Sequence, residues 1–158
     1  MADESDDLAA FLTLSATLTG YSRFRLLGTG QAEPYLATVR GAVGDNVLDA
    51  LLTTSAAVHD EAAGDEEALD RHLRARILSD DRFGPVARNV IKMWFVGTWY
   101  QLPPEWRDAH ATREPDATHV VSPASYTEGL LWPTIGGNPP GAKGPGYGTW
   151  ADPPLLEE

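Results

Sequence analysis

The sequence predicts a mostly α-helical fold: a small domain of about five helices followed by a Pro/Gly-rich extended arm that carries aromatic residues. Three observations point there. Five stretches before residue 101 repeat apolar residues at helical spacing. Ten of the twelve prolines fall in residues 101–158, where that periodicity is lost outside Tyr126–Trp132. That same Pro/Gly-rich stretch keeps Trp132, Ile135, Tyr147, Trp150, Leu155 and Leu156, large apolar groups that a solvated tail lacks. Residues 1–100 are therefore expected to form the helical domain. Residues 101–158 are expected to form an arm packing on the domain and on a partner, the whole being one structural unit.

The stretch from Pro85 to Tyr100 anchors this reading. Proline suits a first helical turn because its missing N–H is not needed there. Ala87, Val90, Ile91, Trp94 and Phe95 then follow at i, i+3, i+4, i+7 and i+8, one helical stripe. Val86, Met93 and Val96 lie off the stripe, so the helix is apolar over most of its circumference. It is either the central core helix or a helix whose aromatic side is buried by another protein. Gly97 ends it, and Leu102-Pro103-Pro104 prevents its return.

The other elements follow in order. Ser5 is expected to cap a helix over about residues 6–19, with Leu8, Phe11, Leu14 or Ser15, and Leu18 inward and Gly20 closing it. Tyr21–Leu27 reads as either a short extended run or a linker. Gly28-Thr29-Gly30 lacks the third glycine of a dinucleotide fingerprint and reads as a turn. A helix is expected over Ala32–Val43, broken by Gly44. The next is capped by Asp45, uses Val47, Leu48, Leu51 and Leu52, and ends near Ala57. His59-Asp60-Glu61 and Asp65-Glu66-Glu67 read as a solvated acidic loop rather than a metal site. Glu66–Leu78 is a further helix, with Leu69, Leu73 and Ile77 inward.

Charge narrows the function. The formal charge is −11, and both regions share it: residues 1–100 carry 9 basic and 15 acidic side chains, residues 101–158 carry 3 and 8. Nucleic acid and anionic membrane surfaces, which need clustered Lys and Arg, are not expected partners. With no cysteine, thiol catalysis and Cys-based zinc sites are excluded. No run of about 18 apolar residues is present to insert into a membrane. The first residues have no basic region, apolar core or Arg-Arg pair, so the chain as written is expected in the cytoplasm. No Gly-x-Ser-x-Gly, His-Glu-x-x-His or Walker phosphate loop occurs, and His59, His72, His110 and His119 lie in no recognised catalytic setting.

Three blocks carry a family resemblance. Phe11–Gly20 has the form F-x-x-L-S-x-x-L-T-G. Ala87-Arg88 through Trp94-Phe95-Val96-Gly97-Thr98-Trp99 resembles A-R-x-I followed by W-[YF]-x-G-x-W. Tyr126-Thr127-Glu128-Gly129-Leu130-Leu131-Trp132 is followed by Gly141 to Ala151, which includes Gly144-Pro145-Gly146-Tyr147-Gly148-Thr149-Trp150, and by Pro153. In this order, across nearly the whole chain, they are similar to the small (gamma) subunit of FAD-dependent sugar and polyol dehydrogenases, the sorbitol dehydrogenase small-subunit family.

The resemblance implies a helical, non-catalytic subunit that binds a large flavoprotein of the glucose-methanol-choline class and supports its folding, FAD loading and stability. FAD and the substrate site would belong to that partner; no catalytic, cofactor or metal residue carries over to this chain. Family members commonly carry a twin-arginine leader, which would make the location periplasmic if one precedes this chain. The expected interface residues are Trp94, Trp99, Tyr100, Tyr126, Trp132, Gly144, Pro145, Gly146, Tyr147 and Trp150. The alternative is a free-standing helical enzyme or small-molecule binding protein.

Overall fold

The computed structural model describes residues 3–110 and 115–139. It is mostly helical, with the elements α1 (Glu4–Thr19), α2 (Arg23–Gly28), α3 (Ala32–Val43), α4 (Asp45–Ala62), α5 (Glu66–Leu73) running into a π-helical turn (Arg74–Leu78), and α6 (Gly84–Val96). Beyond these come β1 (Thr98–Trp99), α7 (Pro104–His110), β2 (His119–Val120), α8 (Pro123–Thr127) and α9 (Leu131–Ile135). β1 and β2 form one antiparallel pair, Thr98 opposite Val120 and Trp99 opposite His119. Among the described residues no helix is long and apolar enough to cross a membrane.

Local chemistry explains most boundaries. α1 begins two residues earlier than expected: Asp3, not Ser5, is the cap residue, and its carbonyl accepts from the N–H groups of Asp6 and Asp7. Glu4, Asp6 and Asp7 place negative charge at the positive end of the helix dipole. Gly20, at φ +76°, closes α1 in the left-handed conformation. The segment left open between extended run and linker is helical, because Ser22 accepts a hydrogen bond from Arg25 N and so caps α2. α3 has the expected bounds. α4 runs five residues further than expected, to Ala62. His59, Asp60 and Glu61 are therefore helical, and His59 Nε2 lies 2.9 Å from Thr17 Oγ1 on α1. Asp65 caps α5, accepting from Glu67 N and Ala68 N.

α6 is the central helix. It touches α1, α3, the π-helical turn, β1, α8 and α9. Trp94 stacks on Phe11 at 6.5 Å and takes the edge of Tyr35 at 4.8 Å, so one indole joins three helices. Val86, Val90 and Met93 are fully buried beside it, together with Leu14, Val39, Leu48, Leu51 and Ile77. Leu8, Leu18 and Ile91, expected in the core, are only partly buried.

The described part of the arm is not a loosely extended segment. Leu102, Trp106 and Leu130 belong to the same core as the helices. α7 starts at Pro104, the residue read as a helix stop, because proline is favoured where a helix begins. The arm is fastened at the C-terminal end of α6. Leu130 N donates to Trp94 O at 2.9 Å, Val121 N to Gly97 O at 3.0 Å, and Ser125 Oγ to Gly97 O at 2.9 Å. A helix leaves its last carbonyls without partners, and here the arm supplies the donors. Gly97 makes this possible: its φ is +66°, and a Cβ there would lie 2.5 Å from the Ser125 carbonyl oxygen.

Two predictions follow from this packing. Gly97→Ala should destabilise the fold by about 3 kcal/mol, the left-handed conformation costing ~1–2 kcal/mol and backbone displacement roughly as much again. For a chain of this size, that lowers the melting temperature by roughly 6–12 °C, read by circular dichroism. The phenol of Tyr35 is held above its ordinary 10.0 by burial, with a Ser125 hydrogen bond opposing and the Glu128 charge adding. The unfolded chain then loses that proton first. The stability from a neutral Tyr35 is complete below pH 10 and declines above it. Tyr35→Phe should flatten the alkaline part of a stability–pH curve.

Candidate partner-binding surface

Among the described residues, no group of three or more His, Asp or Glu side chains is placed to hold a metal ion. One concavity is an open groove of about 760 Å³ between the start of α1 and α3, with Asp3, Glu4 and Glu33 around Leu8 and Pro34. A second, of about 270 Å³, lies where α2 meets α8 and α9; Arg25, Thr29, Glu128, Trp132 and Pro133 border it. A third, of about 160 Å³, is edged by Arg88, Lys92, Tyr100 and Pro103. None of the three brings together a nucleophile and a base oriented by a third group, the arrangement covalent catalysis uses. What the surface does present is apolar side chains held in fixed positions.

The expected interface residues divide into three sets. Trp94 and Trp99 are corrected: they are 1% and 0% exposed, and both are core residues. Trp94 is enclosed by Phe11 and Tyr35, and among the described residues its Nε1 has no hydrogen-bond partner. Trp99 Nε1 donates to the buried Asp116 Oδ1 at 3.0 Å. An apolar helix seen as sequence shows that it must be covered, not what covers it, and here the chain's own α1, α3 and arm do so. Tyr100, Tyr126 and Trp132 reach the surface. Gly144, Pro145, Gly146, Tyr147 and Trp150 lie outside the described residues.

Asp116 organises one side of this region. It accepts from Leu102 N at 3.1 Å as well as from Trp99 Nε1, and Arg107 Nε lies 3.1 Å from its Oδ2, an ion pair whose angle misses that of a hydrogen bond. A buried carboxylate needs such partners, because its removal from water is otherwise costly. The result fixes the path from β1 to α7 and sets Tyr100 at the surface, its ring 5.0 Å from Lys92 Nζ and its carbonyl accepting from Asn89 Nδ2.

The other side is built by α8 and α9. Ser122 and Ser125 form a reciprocal capping box, so a five-residue helix is held firmly. Trp132 packs against the edge of Tyr126 at 5.7 Å and donates from Nε1 to the Tyr126 carbonyl. Tyr126 remains 43% exposed and Ile135 63%. Tyr21 Oη, 2.7 Å from Thr134 Oγ1, ties α9 to the chain just before α2.

The sequence reading missed α2. Phe24 is 88% exposed and Leu27 51%, at i and i+3 on one face, while Leu26 is fully buried and holds the helix down. The signal was present: Ser22 before Arg-Phe-Arg-Leu-Leu is a capped helical turn.

Comparison with known proteins finds no matching family model, no matching curated protein and no matching solved structure.

Asp116→Ala should remove the carboxylate that joins Trp99, Leu102 and Arg107, and lower stability by about 3 kcal/mol, the lower end for a broken buried pair since Arg107 is partly exposed. Chemical denaturation should show the loss with an unchanged slope. A variant as stable as the parent would show that the arm is held otherwise.

Proposed function

We propose that this chain is a non-catalytic small subunit of an FAD-dependent sugar or alcohol dehydrogenase or oxidase complex. In this reading it supports the folding, FAD loading and stability of a large catalytic subunit of the glucose-methanol-choline type. The flavin and the substrate site belong to that partner.

The observation that carries the reading is the division of labour among the residues of the three resembling blocks. Phe11, Trp94, Gly97 and Trp99 build the core. Tyr126 and Trp132, from the third block, are held at the surface by that core. Aromatic side chains fixed at a surface are favoured anchors at protein interfaces, whereas a free-standing enzyme would need converging polar groups in a pocket. Tyr147 and Trp150 are assigned to the same interface on the strength of the third block alone.

The test is co-expression. Made without this chain, a flavoprotein of that class from the same genome should be insoluble or poor in FAD, and made with it, soluble and yellow. The small chain purified alone should show no flavin absorbance. Tyr147→Ala and Trp150→Ala should each weaken co-purification by roughly tenfold or more, as truncation of an interface anchor does. A large subunit that is fully active and FAD-replete by itself would remove the proposed role.

A further inference from the structure

Six large hydrophobic side chains are exposed among the described residues: Phe24, Leu27, Tyr100, Val120, Tyr126 and Ile135. Four of them sit on α2, α8 and α9. Arg25 of α2, Thr29 just after it, and Trp132 and Pro133 of α9 line one cleft, with the four apolar side chains outside its lining. Single exposed apolar residues need no explanation; Phe24 and Leu27, at i and i+3 on one face of α2, are a pair rather than strays. Phe24 is the extreme case, 88% exposed on a helix that cannot turn to hide it, because Leu26 is fully buried on the other side and Ser22 fixes the first turn.

We propose that α2 docks this chain onto the large flavoprotein subunit, with Phe24 and Leu27 filling an apolar pocket rimmed by carboxylates. This rests on the small-subunit reading above. The carboxylate rim follows from charge. Phe24 lies between Arg23 and Arg25, all three exposed, in a chain of formal charge −11. An acidic partner surface is repelled by most of this molecule and attracted at α2, which sets orientation as well as affinity. The same charges argue against a second copy as occupant. A two-fold contact through α2 brings each Arg23 and Arg25 toward its own image, and both copies carry the same net negative charge.

The experiment compares the parent chain with two variants, Phe24→Ala/Leu27→Ala and Arg23→Glu/Arg25→Glu. Each is co-expressed with the tagged flavoprotein and washed at low and high salt. The alanine pair should lower the retained chain more than tenfold at both salt levels. The charge reversal should lower it at low salt and invert the salt dependence, so that retention rises with salt as the new repulsion is screened. Both should keep the parent's melting temperature, since the altered side chains are exposed. If the alanine pair does melt earlier, the charge reversal, which removes no apolar anchor, decides. Parent and variants retained equally would overturn the assignment of α2 and leave the subunit reading standing. A parent chain that is not retained at all would overturn both. A parent chain that sediments alone as a dimer, and that the alanine pair makes monomeric, would make this face a self-contact and overturn the proposal.

Discussion

The buried C-terminal end of α6 is the constraint on which the rest of the structure depends. A helix that stops in solvent can leave its last carbonyls to water. α6 stops inside the protein, with Trp94 and Gly97 both buried. The carbonyls of these residues are met by donors from beyond residue 120: the N–H groups of Val121 and Leu130 and the hydroxyl of Ser125. This accounts for an ordered stretch whose own composition would not specify one. Residues 115–139 carry little helical periodicity, yet their backbone is fixed because the core helix needs capping. Gly97 and Gly129 mark where the two backbones meet; a Cβ on Gly129 would stand 2.6 Å from the Phe95 carbonyl oxygen.

That clamp also decides which aromatics face outward. Leu130 points into the core and Trp132, two residues on, lies half-buried against Tyr126. The capping box of α8 and the Trp132-to-Tyr126 hydrogen bond leave these rings little freedom. Behind β1, Asp116 does the same for the path past Trp99 to Leu102. The aromatic residues thus fall into an inner group that positions and an outer group that is presented. Trp99 and Tyr100 are neighbours in sequence and belong to different groups, since successive residues of an extended segment face opposite ways.

Much of the helical framework was legible in the sequence. Apolar spacing fixed the bounds of α3, and Gly20, Gly44 and Gly97 end α1, α3 and α6 as glycines at helix ends do. What was not legible depends on partners distant in sequence. Nothing local announces that Asp116 pairs with Trp99, or that Leu130 closes over Trp94. The candidate surface was half legible for the same reason. Tyr126 is exposed and Trp132 half-buried, so both reach the surface. Trp94 and Trp99 do not, because an apolar helix demands a cover without naming it. Phe24 escaped notice because α2 is six residues long, too short for periodicity to distinguish it from a linker.

The manner in which the outer residues are held bears on how they would bind. A surface that orders only on contact spends part of its binding free energy on that ordering. Here four of the six exposed apolar residues have a buried residue nearby in the chain that holds their element down: Phe24 and Leu27 have Leu26, Tyr126 has Ser125, and Ile135 has Leu130. The loss of side-chain freedom on docking is correspondingly small, and for Phe and Tyr only two torsions are involved. A small domain with a core built around one helix can therefore offer a stiff apolar edge. In the proposed complex, that rigidity would let a few side chains set both the position and the orientation of the large subunit.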